Sequence, residues 1–136
     1  MKKINCILLV DDNPADNEFH KIIISDSQVC NSVKIATSGA KALDYLVKSG
    51  DGGQEDFPKP DLIFLDINMP GMNGFEFLEE YHSLDEKLKS KIVIIMLSTS
   101  LNPDDAEKAR QIKEVTEFMN KPLMVDTLKE TIEKYF

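Results

Sequence analysis

The chain alternates five times between a short apolar segment and an amphipathic one. The apolar segments lie at residues 4–10, 33–36, 62–66, 92–97 and 117–119. Two of them contain the continuous apolar runs ILLV and IVIIML, which are typical of strands covered on both faces. Repeated strand–helix alternation favours right-handed crossovers and a parallel sheet between two helix layers. The sequence therefore predicts an α/β fold, a doubly wound sheet of five parallel strands.

Each predicted strand is followed by apolar residues at helical spacing, which indicates five helices. The second helix is expected to start at Ser38. The fourth opens with the stretch LNPDDAEKAR, where Asn102 is a candidate N-cap and Pro103 suits the first helical position. We also expect Asp12 or Asn13 to cap the first helix.

Size, charge and cysteine content limit the class of protein. A chain of 136 residues has the length of one domain, and we predict a single domain over residues 1–136 with a surface loop at about 49–60. Sixteen basic against twenty-four acidic residues give a net charge of −8, which argues against a nucleic-acid partner. Two cysteines form no disulfide framework and favour the cytoplasm. No apolar run is long enough to cross a membrane.

Polar side chains follow the predicted strands where each one ends. The first strand ends in Asp11 and Asp12, the third in Asp66, the fourth in Ser98 and Thr99, and the fifth in Asn120 and Lys121. If the first and third strands are neighbours, three carboxylates converge at the edge where parallel sheets bind ligands. Such crowding of like charges is relieved by a hard divalent cation, and Mg²⁺ prefers these oxygen ligands. The pattern therefore predicts a magnesium site.

Asp66 is the candidate nucleophile of this site. Carboxylates, a metal, an ammonium and a hydroxyl around one point suit phosphoryl transfer, in which a carboxylate can be the acceptor. Each residue alone has an ordinary reading: a strand-end aspartate often forms a turn, and Lys121 before Pro122 could be a surface residue. The joint placement of all of them at the same end of successive strands favours the functional interpretation.

Four stretches of the sequence resemble the receiver domain of two-component response regulators: LLVDDNPAD, PDLIFLDINMPGMNGFEFL, IIMLSTS and EFMNKPL. The resemblance covers essentially the whole chain. It implies the flavodoxin-like strand order 2-1-3-4-5. Because the sequence stops at Phe136, at the end of the fifth predicted helix, we expect no output domain. The resemblance also implies transfer of a phosphoryl group from a sensor histidine kinase or a histidine phosphotransfer protein to an aspartate, with Mg²⁺ required.

The resemblance assigns roles to individual residues. Asp66 matches the phosphoacceptor, Asp11 and Asp12 match the metal-binding acids, and the backbone carbonyl of Asn68 matches a further metal ligand. Ser98 matches the conserved hydroxyl position.

The last assignments concern the response to phosphorylation. Lys121 matches the invariant lysine, which a cis peptide joins to Pro122, and Phe118 matches the switch aromatic. Asn68 and Ser100 occupy positions that tune the phosphoryl lifetime in the family.

The same resemblance implies that the protein is a signalling phosphoacceptor and not an enzyme with a substrate of its own. The protein is expected to assist its own phosphorylation and autodephosphorylation. Phosphorylation is expected to switch a face made by the fourth predicted helix, the fifth strand and the fifth helix. This face would bind a downstream protein or a second copy of the chain. The long loop before the third strand and the stretch LSTSLNPDDAEKA are similar to stand-alone receivers that partner bacterial phytochromes.

Several alternatives are weighed against this reading. A flavin-binding protein would need a phosphate loop where Asp11 and Asp12 stand, an aspartyl phosphatase would need an acid at Asn68, and a P-loop enzyme would need a motif that is missing. The serious alternative is a phosphorylation-independent adaptor with a receiver fold. His20 and His82 lack a partner at metal-ligand spacing and are read as ordinary imidazoles.

Overall fold

The computed structural model describes residues 3–99 and 102–136. Within this part of the chain, five strands and six helices follow one another in the order β1 (Ile4–Val10), α1 (Pro14–Ser27), β2 (Cys30–Ala36), α2 (Gly39–Ser49), β3 (Leu62–Asp66), α3 (Gly74–His82), α4 (Glu86–Lys89), β4 (Val93–Ser98), α5 (Pro103–Arg110), β5 (Val115–Asn120) and α6 (Val125–Tyr135). The regular alternation predicted from the sequence is confirmed.

All five strands are parallel and lie in the order β2-β1-β3-β4-β5. The strand β1 therefore lies between β2 and β3, with Val10 opposite both Ala36 and Leu65. This confirms that the first and third strands are neighbours. Their carboxyl ends meet at one edge of the sheet, the edge at which open α/β sheets bind ligands.

Both faces of the sheet are covered, which explains the uninterrupted apolar runs. On one face, residues of β1, β3 and β4 pack against α2, α3 and α5, with Leu46 and Phe77 fully buried. On the other face, Ile24 of α1 and Leu128 and Ile132 of α6 pack on the alternate side chains of the same strands. The sheet is thus the middle of three layers, and its edge with the carboxyl ends stays open.

Side-chain caps determine where four of the helices begin. Each cap oxygen accepts a backbone N–H from the first turn, which satisfies a donor that has no partner within the helix. These caps are Asn13 (3.1 Å to Asp16 N), Ser38 (3.1 Å to Lys41 N), Asn73 (2.9 Å to Glu76 N) and Asn102 (2.9 Å to Asp104 N). The prediction for Asn102 is confirmed, and of the pair Asp12 and Asn13 it is Asn13 that caps the first helix.

The structure corrects the predicted boundaries of several elements. The strands β2, β4 and β5 extend beyond their apolar residues, because backbone pairing continues through polar positions such as Ser32 and Asn120. The helix α4 was not predicted, since a single turn of four residues has no apolar period. Its cap is Asp85, which accepts the N–H of Lys87 at 3.0 Å.

Residues 50–61 link α2 to β3, close to the surface loop predicted at about 49–60. The first part is mostly exposed, but Phe57 packs against the core and Pro60 is buried. The Tyr45 hydroxyl donates to the carbonyl of Pro58 at 2.6 Å, which fastens the loop to α2. The second half of the loop is therefore part of the packed structure.

Among the described residues, none of the helices combines the length and the apolar character that crossing a membrane would require.

Candidate phosphoacceptor and metal site

Three carboxylates meet at the carboxyl edge of the sheet. Asp11 and Asp12 follow β1, and Asp66 is the last residue of the neighbouring strand β3. One oxygen of each lies within 4.8 Å of the others. Asp11 and Asp66 are buried, whereas Asp12 is exposed to solvent. The convergence expected from the sequence is present, and its cause is the register of two parallel strands.

Asp66 lies where α3 approaches the end of β3 closely. A Cβ atom at Gly74 would come within 2.7 Å of the Asp66 carbonyl oxygen, so a side chain at this helix position would collide with the strand. The backbone N–H of Asn68 donates to the Asp66 carboxylate. Burial and the nearby charge of Asp11 raise the pKa of Asp66 to about 6, although Lys121 opposes this. The Asp66 carboxylate is therefore ionised at neutral pH but held in an unfavourable environment.

Lys121 supplies the positive charge of the site. Its Nζ lies 2.6 Å from Asp11 Oδ2, 2.9 Å from Asp16 Oδ2 and 3.2 Å from Asp66 Oδ1. Burial lowers the pKa of this ammonium, but the hydrogen bonds to Asp11 and Asp16 outweigh burial and hold the pKa above its ordinary value. The contact with Asp66 is the longest of the three.

The backbone around Lys121 ties it to β4. The Lys121 N–H donates to the carbonyl of Ser98 at 2.8 Å, and the peptide bond to Pro122 is cis, as the resemblance implies. On the far side of Pro122, the Leu123 N–H donates to Nε2 of the buried His20 at 3.2 Å. Lys121 is thus held between β4 and α1.

The helix α1 also fixes Asp11. The Asp11 Oδ1 accepts the N–H of Asn13 at 3.0 Å, and the Asp11 carbonyl accepts from Asn17 Nδ2 at 2.8 Å.

His20, which accepts the N–H of Leu123, is a structural imidazole. His82 pairs at the surface with Glu114 at 2.5 Å, far from these acids in the fold. The carboxylate cluster of the described residues contains neither histidine.

Ser98 and Phe118 lie on the same face of the sheet. Ser98 is fully buried at the end of β4, two residues beyond Met96, and Met96 pairs with Phe118 on β5. Phe118 is half-buried against the core on that face. Because alternate residues of a strand share a face, Ser98, Met96 and Phe118 form a continuous row from the site toward α5.

An open pocket of about 410 Å³ contains the site. This strand-end pocket is lined by Asp11, Asp12, Asn13, Pro14, Asp16, Asp66, Asn68, Thr99 and Lys121. A second, more apolar groove of about 510 Å³ lies between α3 and α5, beside Phe75, Leu78 and Ile112, and none of the strand-end residues lines it. The candidate chemistry belongs to the strand-end pocket.

The donor set of the pocket fits a hard divalent cation. Its ligand atoms are carboxylate oxygens of Asp11, Asp12 and Asp66. No histidine or cysteine belongs to this group, so the set offers oxygen ligands of the kind that Mg²⁺ selects. Asn68, two residues beyond Asp66, also lines the pocket.

Sequence reasoning missed one charged residue of the pocket, Asp16. It lies in the first turn of α1, and its only signal in the sequence is a position five residues after Asp11, on a helix that begins at the pocket. Ser100, which the resemblance connects with phosphoryl lifetime, lies outside the described residues.

Comparisons with known proteins agree with this fold. A family model described as the response regulator receiver domain matches residues 7–133. Response regulator Rcp1 of Synechocystis sp. is 35% identical over 99 residues, which make up 73% of this chain and 65% of that protein.

Solved structures extend the likeness to the whole fold. A two-component response regulator from Cytophaga hutchinsonii matches with a TM-score of 0.87 at 31% identity, covering 98% of both chains. The bacteriophytochrome response regulator AtBRR matches with a TM-score of 0.76 at 29% identity, covering 98% of this chain and 93% of that one.

Proposed function

We propose that this chain, which belongs to the response regulator receiver domain family, accepts a phosphoryl group on Asp66 and thereby switches a protein-binding face. Receiver domains are signalling phosphoacceptors of two-component systems, and phosphorylation of an aspartate is their general function. The observation that carries the assignment to Asp66 is the cluster of Asp11, Asp12 and Asp66 with Lys121 beside it.

Asp66 suits the role of nucleophile better than its neighbours. Asp11 is engaged by the Asn13 N–H and by Lys121 at 2.6 Å, and Asp12 is exposed. An oxygen of Asp66 forms the new bond to phosphorus, while the bond between phosphorus and the donor breaks and its electron pair leaves with the donor. Lys121, 3.2 Å from Asp66 Oδ1, is placed to pair with an oxygen of the transferred group.

The three carboxylates and the Asn68 carbonyl would hold Mg²⁺. When bound there, such a cation would supply positive charge next to the phosphoryl oxygens. The protein's own contribution is to hold the three acids together and to exclude part of the solvent around Asp66. The same positioning would support attack by water, and we include autodephosphorylation in the proposal.

The proposed partners follow from the family and from the surface of the chain. The phosphoryl donor is a sensor histidine kinase or a histidine phosphotransfer protein, with a phytochrome as a candidate sensor. The output is a downstream protein, or a second copy of the chain, bound at the face of α5, β5 and α6. We further propose that residues 1–136 act as one receiver domain in the cytoplasm, without nucleic acid as a partner.

Switching is proposed to run along the row from Ser98 to Phe118. Phosphorylation adds a charged group rich in hydrogen-bond acceptors. The Ser98 hydroxyl moves toward one phosphoryl oxygen while Lys121 pairs with another. This movement leaves space that the half-buried Phe118 fills by turning inward, which changes the face of α5, β5 and α6. One or two charge-assisted hydrogen bonds suffice if the two states differ by about 1–3 kcal/mol.

The phosphoacceptor assignment is tested by incubating the protein with acetyl phosphate and measuring its intact mass. The parent should gain one phosphate with Mg²⁺ and much less without it. Asp66→Asn should keep the fold and gain none. A parent that never gains phosphate, although it is folded and binds Mg²⁺, would favour the phosphorylation-independent adaptor instead.

Ser98→Ala tests the switch. The matched control is Ser25→Ala, which removes an exposed hydroxyl from α1. Ser98→Ala should still accept phosphate, yet partner binding or dimerisation should no longer respond to beryllofluoride. The control should respond like the parent. A full response by Ser98→Ala would rule out this coupling.

A further inference from the structure

A fourth carboxylate touches the strand-end pocket without belonging to the metal cluster. Asp16 lies in the first turn of α1, and its Oδ2 accepts a hydrogen bond from Lys121 Nζ at 2.9 Å. The three residues whose oxygens converge for a metal are Asp11, Asp12 and Asp66. The Asp16 side chain is 36% exposed, whereas that of Lys121 is 6% exposed. Asp16 thus reaches a buried ammonium from the solvent side of the pocket.

The contacts of Lys121 divide its partners into two kinds. An ammonium has three protons to donate, and Lys121 has three carboxylate partners: Asp11 at 2.6 Å, Asp16 at 2.9 Å and Asp66 at 3.2 Å. A divalent cation in the cluster would compete with Lys121 for Asp11 and Asp66. It would not compete for Asp16.

We propose that Asp16 is a positioning residue that retains Lys121 at the rim of the pocket when a divalent cation takes the oxygens of Asp11 and Asp66. The proposal rests on the phosphoacceptor function given above for Asp66. Lys121 then stays beside the acceptor oxygen, where a phosphoryl oxygen arrives. Asp16 does not touch the reacting atoms and acts only through Lys121.

The energetic reason is the burial of the ammonium. A buried charge that loses its partners is strongly unfavourable. If no other carboxylate were near Lys121, a cation that displaced Lys121 from Asp11 would leave the buried ammonium unpaired, and this cost would weaken binding of the cation. Asp16 keeps one hydrogen bond to Lys121 throughout. Its own position is fixed by the helix, because its backbone N–H donates to the Asn13 cap at 3.1 Å. A carboxylate in a first turn is also stabilised by the helix dipole.

Mg²⁺ affinity of the unphosphorylated protein tests the proposal. Asp16→Asn should weaken Mg²⁺ binding by about fivefold or more in a calorimetric titration. Without Asp16, the ammonium of Lys121 pairs more strongly with Asp11 and Asp66 and competes better with the cation for these carboxylates. Glu18→Gln is the matched control: it removes the same charge from the same helix, from an exposed position about 200° round the helix from Asp16. It should weaken binding by less than about twofold.

A double-mutant cycle separates positioning from general electrostatics. In a Lys121→Met background, Asp16→Asn should lose most of its effect on Mg²⁺ affinity, since there is no ammonium left to retain. An equal loss of affinity with and without Lys121 would show that Asp16 acts only as a nearby negative charge, and would overturn the proposal. So would a parent protein that binds no Mg²⁺.

The titration needs no phosphoryl transfer, so it can fail independently of the proposed function. Coupling between Asp16 and Lys121 in a protein that acetyl phosphate does not label would leave the positioning role in place and remove the phosphoacceptor role. Labelling of Asp66 without coupling between Asp16 and Lys121 would leave the phosphoacceptor role in place and remove the positioning role.

Discussion

The strand β3 has an aspartate at each end, and the environments of the two carboxylates differ. Asp61, just before the strand, has one carboxylate oxygen that accepts the backbone N–H of Asn5 at 2.7 Å and of Cys6 at 3.2 Å. Asp66, at the other end, lies beside Asp11, and its pKa is raised to about 6 by burial and by that charge. The first carboxylate joins two strands, whereas the second is kept in an environment that disfavours its charge.

The difference shows how a structural acid can be told from a reactive one in the same strand. Backbone N–H groups satisfy Asp61 without adding or removing any charge at that end of the sheet. At the other end the side chains of Asp11, Asp12, Asp66 and Lys121 share one pocket, in which carboxyl groups outnumber the single ammonium. An excess of buried negative charge is what a cation and a phosphoryl group with its own donors can relieve.

The largest effect on stability is expected from Asp66→Asn. The folded-state pKa of Asp66 lies near 6, above the ordinary value of 3.8. The protonated Asp66 side chain therefore stabilises the fold fully only below the ordinary value, and this stabilisation is lost as the pH rises through about 6. Removing the charge should therefore stabilise the metal-free protein at pH 8, by at most roughly 3 kcal/mol. Urea unfolding at several pH values measures this, and the gain should shrink as the pH falls toward about 5. A variant less stable than the parent at pH 8 would contradict the crowding of the acids.

The opposite sign is expected at the other end of the strand. Asp61→Ala leaves the N–H groups of Asn5 and Cys6 without their acceptor, and should destabilise the protein by about 2 kcal/mol. The same urea unfolding, with Asp66→Asn beside it, gives the comparison directly. Unchanged stability would mean that Asp61 does not join the strands in solution.

The smallest effect is expected from the metal. Because a ligand that binds only the folded state stabilises it, millimolar Mg²⁺ should raise the melting temperature by an amount that corresponds to about 1 kcal/mol. Asp12→Ala should lose this gain, while Asp61→Ala should keep it. Equal gains in the two variants would place the cation elsewhere.

Much of this contrast could be predicted from the sequence, and the part that could not has a physical reason. The convergence of Asp11, Asp66 and Lys121 follows from their places at strand ends, which parallel pairing brings together whatever the details of packing. The role of Asp61 depends on backbone donors 55 and 56 residues away, which no local pattern reveals.

The same limit applies to Asp16 and to α4. Asp16 reaches Lys121 across 105 residues of sequence, through the packing of α1 beside the end of β5. The helix α4 is a single turn held by its cap, so it leaves no period in the sequence. Features that rest on a single contact, tertiary for Asp16 and local for α4, were missed, whereas those repeated along a strand or helix were found.

Mapping the phosphorylated residue tests the distinction between the two ends of β3 most directly. The protein is treated with acetyl phosphate and Mg²⁺, reduced with borohydride so that an aspartyl phosphate becomes homoserine, and digested for peptide mass spectrometry. Homoserine should replace aspartate at position 66 alone, with Asp61 unmodified. Homoserine at Asp11, Asp12, Asp16 or Asp61 in amounts comparable to position 66 would contradict the assignment of Asp66 as the reactive carboxylate.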